Sequence, residues 1–371
     1  MKDSKLYWVG FNLVKGIGAV RMRTLLAYFG DAQTAWQAPA DVLQEAGLGP
    51  KVLKNFLKVR EGVSLDEVWE NIQAQGITVL TWEDEGYPRR LNEIDNPPPV
   101  LYLRGQLLED DSWAVAVVGT RRMTSYGRQV AEEIGYALAS SGITVVSGLA
   151  RGVDAVSHSA ALSAGGRTLA VLGSGVDRIY PPEHRDLAEQ ITANGAVLSD
   201  YAVGTPPEGV NFPPRNRIIA ALSKAVVVVE AGVQSGALIT AAFAAEQGRE
   251  VFAVPGSMHA PQSKGTNVLI QQGAHIMLDV QDVLEILNLS MINEHRSART
   301  VLPSDATEAK LYEILGAEPL HVDDIRAQSE LPINKVSSTL ALMELKGMVR
   351  QVGGMNYVAV HERGNSYETG E

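Results

Sequence analysis

The chain contains no cysteine among its 371 residues. Disulfides and cysteine-bound zinc sites are therefore excluded. It also lacks a long apolar run. Charges interrupt residues 1–10, so no secretory signal is expected. Later runs such as 225–229 are far too short to span a bilayer. These absences fit a reducing, cytoplasmic setting without membrane insertion. An excess of positive charge is missing as well. The net charge is −11, distributed as −1 over residues 1–105 and −5 over each of 106–300 and 301–371. Any contact with a polyanion must then use a local basic patch within an acidic whole, and its strength must depend on salt.

What is present suffices for a sizeable core and satellite domains, since 45% of residues are hydrophobic. Residues 1–65 read as short helices. Gly16-Ile17-Gly18 and Gly47-Leu48-Gly49 each precede an apolar helical pattern and resemble a pair of helix-hairpin-helix units. The alternative is that these turns only let helices pack closely. Residues 76–105 form an irregular lead-in ending in a short strand at 100–103, because Pro97, Pro98 and Pro99 forbid helix. Residues 113–288 alternate apolar runs (113–118, 144–147, 168–172, 196–199, 225–229, 251–254) with helical patterns (127–140, 153–164, 183–193, 237–247). Continuous runs of Val, Ala, Ile and Leu suit a parallel sheet covered on both faces, so a doubly wound α/β domain is expected over 66–288. A polar linker follows at 289–303. Residues 304–371 read as helices 305–315, 322–328 and 333–346, then a hairpin around Gly353-Gly354, which together make a winged helix-turn-helix.

Ligands of such sheets bind at the carboxyl ends of the strands. Five loops there carry the candidate chemistry. The first contains Gly119, Thr120, Arg121 and Arg122, with Arg128 beyond. It lacks the dinucleotide fingerprint and the P-loop lysine, and its arginines suit bidentate phosphate contacts. The second contains Ser147, Gly148 and Arg151, followed by Asp154 and His158 one helical turn apart. That pair reads as a structural hydrogen bond before an acid/base couple. In the third, Arg215, Asn216 and Arg217 follow Phe212, and residues 209–224 hold no acid. An aromatic ring among arginines suits single-stranded nucleic acid; the alternative is a helix start whose arginines make interdomain salt bridges. The fourth offers Ser235 and Gly236 at a helix start, and the fifth Lys264. Together they describe a track for several phosphates. No metal site, cofactor site or catalytic residue emerges.

The segments Val117-Val118-Gly119-Thr120-Arg121, Ser147-Gly148-Leu149-Ala150-Arg151-Gly152-Val153-Asp154, Phe212-Pro213-Pro214-Arg215-Asn216-Arg217, Ser235-Gly236-Ala237-Leu238-Ile239-Thr240 and Val254-Pro255-Gly256 resemble, in order and spacing, the DNA-processing protein A family (DprA, also called Smf). The resemblance implies an extended Rossmann-like domain flanked by a helix-hairpin-helix or SAM-like domain and a winged helix. It implies a non-enzymatic protein of natural transformation that binds incoming single-stranded DNA, protects it and loads RecA recombinase. It also implies homodimers formed through the Rossmann-like domain. Arg121, Arg215, Asn216 and Arg217, with the Gly119, Gly148 and Gly236 loops, would line the DNA pocket. Pro182 stands where many relatives carry lysine, with Arg185 the nearest substitute. The third helix of the winged domain carries only Lys335 and Lys346 as basic residues, which favours protein contacts over groove binding. Two rival readings are a nucleotide hydrolase cleaving N-glycosidic bonds, which needs a carboxylate near the sugar, and a regulator that reads duplex DNA.

Overall fold

The computed structural model describes residues 2–287, 306–315, 319–329, 331–345, 348–352 and 355–359. Two compact units result, divided after Leu287.

The first unit opens with six helices: α1 (Lys2–Leu13), α2 (Ala19–Phe29), α3 (Ala32–Gln37), α4 (Ala40–Glu45), α5 (Pro50–Gly62) and α6 (Leu65–Ala74). Their core is aromatic. Phe11, Trp36 and Phe56 meet pairwise with ring centroids 5.0–5.5 Å apart. The same core takes in Ile77, Val79, Val100 and Tyr102 from the first two strands, β1 (Thr78–Thr81) and β2 (Val100–Gly105). The buried Tyr102 hydroxyl donates to Asn12 Oδ1 at 3.0 Å. Helices and sheet are thus continuous in packing. Where an irregular lead-in was expected, β1 pairs antiparallel with β2, and β2 antiparallel with a central strand. The prolines at 97–99 only separate the two strands.

Seven further strands complete a nine-stranded sheet: β3 (Ala114–Val118), β4 (Thr144–Ser147), β5 (Thr168–Val171), β6 (Gly195–Ser199), β7 (Ala225–Val228), β8 (Glu250–Ala253) and β9 (His275–Ile276). The order is β1-β2-β6-β5-β4-β3-β7-β8-β9, and every pair from β6 to β9 is parallel. Strands β3 to β7 are buried at every residue, as expected of apolar runs covered on both faces. The covering helices are α8 (Ser125–Ser140), α9 (Val153–Ser163), α10 (Arg185–Asn194), α11 (Phe212–Leu222), α12 (Gly236–Glu246), α13 (Lys264–Gln271) and α14 (Val280–Ile286), with a short α7 (Arg89–Asn92) before β2. The sequence patterns fixed only the start of α11. Pro213 and Pro214 sit in its first turn, where a missing N–H costs nothing.

The second unit holds helices Ala306–Ile314, Val322–Ser329 and Ile333–Leu345 around Leu311, Ile325, Val336, Leu340 and Met343. Strand Asn356–Ala359 lies between Val349–Gln351 and a two-residue strand, Leu320–His321. This is a winged helix. The expected linker 289–303, Gly353-Gly354 and Lys346 lie outside the described residues. No helix among the described residues is long and apolar enough to cross a membrane.

The pairing of α8 with α9 depends on Gly135. A Cβ there would lie 2.8 Å from the Ser157 carbonyl oxygen, and backbone cannot yield as a side chain can. Gly135→Val should therefore destabilise the first unit by about 1–3 kcal/mol. A lowered denaturant midpoint at unchanged slope would register this; an unchanged midpoint would show that the helices separate without cost.

Candidate nucleic-acid interface

The order in which strands join the sheet reverses between β3 and β7. From β3 the sheet runs one way through β4, β5 and β6, and from β7 the other way through β8 and β9. The connections diverge here, leaving a crevice at the carboxyl ends. A cavity of about 720 Å³ occupies it. Its walls include Gly119, Thr120, Arg121, Arg122, Phe212, Arg215, Asn216, Ser235 and Gly236, nine of the residues expected from sequence.

Glu230, 2% exposed and just beyond the end of β7, ties the loop after β3 to that strand end. Its carbonyl accepts from the Thr120 amide at 2.7 Å. Its side chain accepts from the Thr124 amide at 2.8 Å and the Thr124 hydroxyl at 2.5 Å. Gly119 is required by crowding: a Cβ would come within 2.5 Å of Val153 at the start of α9. The loop that carries Arg121 and Arg122 is thereby fixed at both ends.

Arg215 is 4% exposed. Its guanidinium donates to the Gly148 carbonyl at 3.0 Å and to Asn216 Oδ1 at 3.2 Å. Burial lowers its pKa to about 10; Asp154 opposes that shift and Arg121 adds to it. Asp154 also lines the cavity. One of its oxygens accepts from the Gly148 and Ala150 amides at 3.1 and 3.3 Å. Burial raises the Asp154 pKa, against the pull of Arg215 and of those amides. Between these groups, Leu149 is held at φ 57°, a strained conformation for a bulky residue that costs on the order of 1–3 kcal/mol.

Arg121 is exposed and makes no ion pair among the described residues. Its guanidinium lies 5.4 Å from the centroid of Phe212. The Phe212 ring expected to receive a base is thus covered on one side by Arg121, with Tyr180 at 5.7 Å beside it. Its direct work is to hold Arg121. Asn216 donates to the Gly236 carbonyl at 3.2 Å, linking α11 to the start of α12, and Ser235 caps α12 through the Ala237 amide.

Five expected residues, Ser147, Gly148, Arg151, Arg217 and Lys264, lie elsewhere or on the margin. Arg217 faces away: it pairs with Asp200 at 2.8 Å and donates to the Asn96 carbonyl at 3.0 Å. Two positions along a helix turn a side chain to the opposite face, so Arg215 and Arg217 cannot share the cavity. This is a salt bridge within the α/β domain rather than the interdomain one weighed above. Ser147 is fully buried and donates to the Val117 carbonyl at 2.6 Å, bridging strands rather than facing ligand. Lys264 is exposed at the start of α13 but is not in the cavity wall. Arg151 is paired with Glu183 at 2.5 Å and borders a side pocket with Gly148, Arg121, Tyr180 and Phe212. The expected pair of Asp154 and His158 does not form. Tyr180, Gln234 and Thr240 join the walls unannounced. Tyr180 had a signal in its position beside Pro181, but which way its ring would turn depends on α11.

This doubly wound domain, with a basic crevice at its switch point and a winged-helix unit after it, has the layout of a nucleic-acid-processing protein. The chain belongs to the DprA/Smf family. Residues 78–288 match the family model for DNA recombination-mediator protein A, and residues 295–355 match the DprA winged helix domain. A Synechocystis protein named Smf is 39% identical, covering 96% of this chain and 98% of its own. The X-ray structure of DNA processing protein A from Streptococcus pneumoniae aligns with a TM-score of 0.67 at 33% identity, over 77% of this chain and 98% of that one. A Helicobacter pylori structure, described by its single-stranded DNA binding mode, aligns with a TM-score of 0.52 at 31% identity, over 57% of this chain and 95% of that one.

His158 lies under the site. Thr168 Oγ1 donates to the Val145 carbonyl at 2.7 Å, so it accepts from His158 Nδ1 at 2.6 Å. That fixes the tautomer and leaves Nε2 buried without a partner. Burial, with His184 and Arg215 adding to it, pushes the His158 pKa down from 6.5 to about 3. Below pH 6.5 the unfolded chain takes up a proton that the folded chain refuses until about pH 3. Stability should fall with pH through that window, by up to about 1.4 kcal/mol per pH unit from this group. Denaturant unfolding at several pH values should show a shallower slope in His158→Gln; equal slopes would contradict the assignment.

Proposed function

We propose that the cavity at the switch point binds the phosphates of single-stranded DNA. The observation that carries this reading is the pairing of a buried Arg215 with an exposed Arg121 held on Phe212 in one crevice at the strand ends. Arg121, which makes no ion pair among the described residues, is stabilised by an incoming anion, and two guanidiniums in one crevice suit adjacent phosphates even with Asp154 beside one of them. Family membership supports the wider role: a non-enzymatic, homodimeric cytoplasmic protein that shields incoming DNA in natural transformation and loads RecA onto it. The H. pylori relative's described binding of single-stranded DNA supports the choice of ligand.

Two rivals fare less well. The hydrolase reading gains a carboxylate in the cavity, Asp154, but its buried side chain is held by two amides beside Arg215 and is poorly placed to attack a sugar. The duplex-reading regulator would need a basic recognition helix, and Ile333–Leu345 carries one lysine, Lys335, against Glu344. Arg121→Ala should weaken oligothymidine binding roughly tenfold or more. It should also make the logarithmic salt dependence shallower by about 0.7. Unchanged affinity and slope in the folded variant, or steady release of free base from nucleotides by the native protein, would overturn the reading.

A further inference from the structure

Residues 12–30 and 46–60 hold seven cations and no acid, in a chain of net charge −11. Three of the seven are used internally. Arg60 donates to the Trp36 and Ala38 carbonyls, Arg23 lies over Trp82, and Arg21 donates to the Gly16 carbonyl while staying exposed. Lys15, Lys51, Lys54 and Lys58 are exposed and make no ion pair among the described residues.

The fold brings these cations together. Asn55 donates to the Lys15 carbonyl at 2.9 Å. A Cβ on Gly16 would lie 3.1 Å from Val52. The turn before α2 therefore abuts the first two turns of α5. On α5, Lys51, Lys54, Asn55 and Lys58 recur at helical spacing and form one face. With Asn55 joined to Lys15, the lysine stripe runs beside the Gly16–Gly18 turn and Arg21.

The glycines separate into two kinds. Gly16 and Gly47 have φ of +105° and +96°, which the turns demand. Gly18 and Gly49 have φ of −128° and −62°, open to any residue, and nothing within 4 Å of an added Cβ. The fold does not need glycine at either. Their bareness leaves the surface beside both turns open to close approach.

We propose that this face is a second DNA site, separate from the strand-end cavity, that holds the sugar-phosphate backbone of duplex DNA. The chemistry favours a duplex over a single strand. The two segments expose one ring, Tyr28, seven residues along α2 from Arg21 and so about 10 Å from it, and Phe56 is buried in the core beneath. A single ring beyond the end of the lysine stripe offers unpaired bases little stacking, whereas the lysines contact phosphates of either form. Lysines fixed on two adjoining turns suit the rigid phosphate rows of a duplex and would contact no base edge, so binding would be independent of sequence.

The test uses the full chain carrying Lys15→Gln, Lys51→Gln, Lys54→Gln and Lys58→Gln. Affinity for a blunt duplex oligonucleotide should fall about tenfold or more, with a logarithmic salt slope shallower by about 3. Oligothymidine binding should stay within about twofold, because the strand-end cavity is untouched. A second variant, Gly18→Ser with Gly49→Ser, should match or exceed the native melting temperature, since serine caps helices well, yet bind duplex more weakly. Unchanged duplex binding in the lysine variant overturns the proposal, as does an equal loss for both DNA forms. Failure of Arg121→Ala to affect oligothymidine would overturn only the reading of the cavity.

Discussion

Glu230 holds the crevice in shape. Strands β3 and β7 pair in parallel, and their connections part at the carboxyl ends. Left to itself, the loop after β3 would have free amides and no fixed course. Glu230 supplies a carbonyl to Thr120 and a side chain to Thr124, so residues 120–124 bend over the end of β7. The same contact decides the sign of the cavity. Turned toward the opening, this side chain would set a negative charge against Arg121 and Arg122. Spent on Thr124, it leaves Asp154 as the carboxylate in the wall against Arg121, Arg122 and Arg215.

The arginines then divide the work. Arg215 is held on the Gly148 carbonyl and shapes the β4 loop from within. It carries charge into the cavity at the expense of its own solvation, which is why burial leads the lowering of its pKa. Arg121 keeps its solvent contact and is oriented by the Phe212 ring. A guanidinium over an aromatic face loses little hydration yet has fewer rotamers to give up when an anion arrives. One arginine is thus structural first and electrostatic second, and the other the reverse.

The fold was readable where pattern alone decides it. Continuous apolar runs marked β3 to β8, and glycine-rich strand ends marked the crevice. What escaped was set by partners distant in the chain. Strand β1 was read as a lead-in, because a four-residue edge strand is recognisable only through its pairing with β2. The two-residue strand Leu320–His321 has no local signal at all. In the site, side-chain direction was the obstacle. Arg215 and Arg217 look equivalent in a basic run, but helix phase sends one inward and the other to Asp200. Ser147 looked like a loop residue and is the last residue of β4. Phe212 looked like a platform for a base, and only the fold could show Arg121 already lying on it.

An acidic protein that handles a polyanion must confine attraction to short range. At physiological ionic strength the screening length is about 8 Å, so an anion at the crevice would feel Arg121, Arg122 and Arg215 far more than the net charge. Residues 209–224, which build α11, contain no acid, and neither do the two segments that form the lysine face. Acids are excluded locally while the chain as a whole remains at −11. The distant negative charge discourages adsorption along arbitrary surfaces, and Arg121 and the lysine face keep their attraction because no carboxylate pairs with them among the described residues. As salt is lowered toward about 0.01 M, the screening length grows to about 30 Å and the whole-molecule charge begins to oppose the local one. Binding should then gain less from dilution than phosphate contacts alone would give. The acidic background thus limits contact to the places where the fold has put arginine and lysine without a partner.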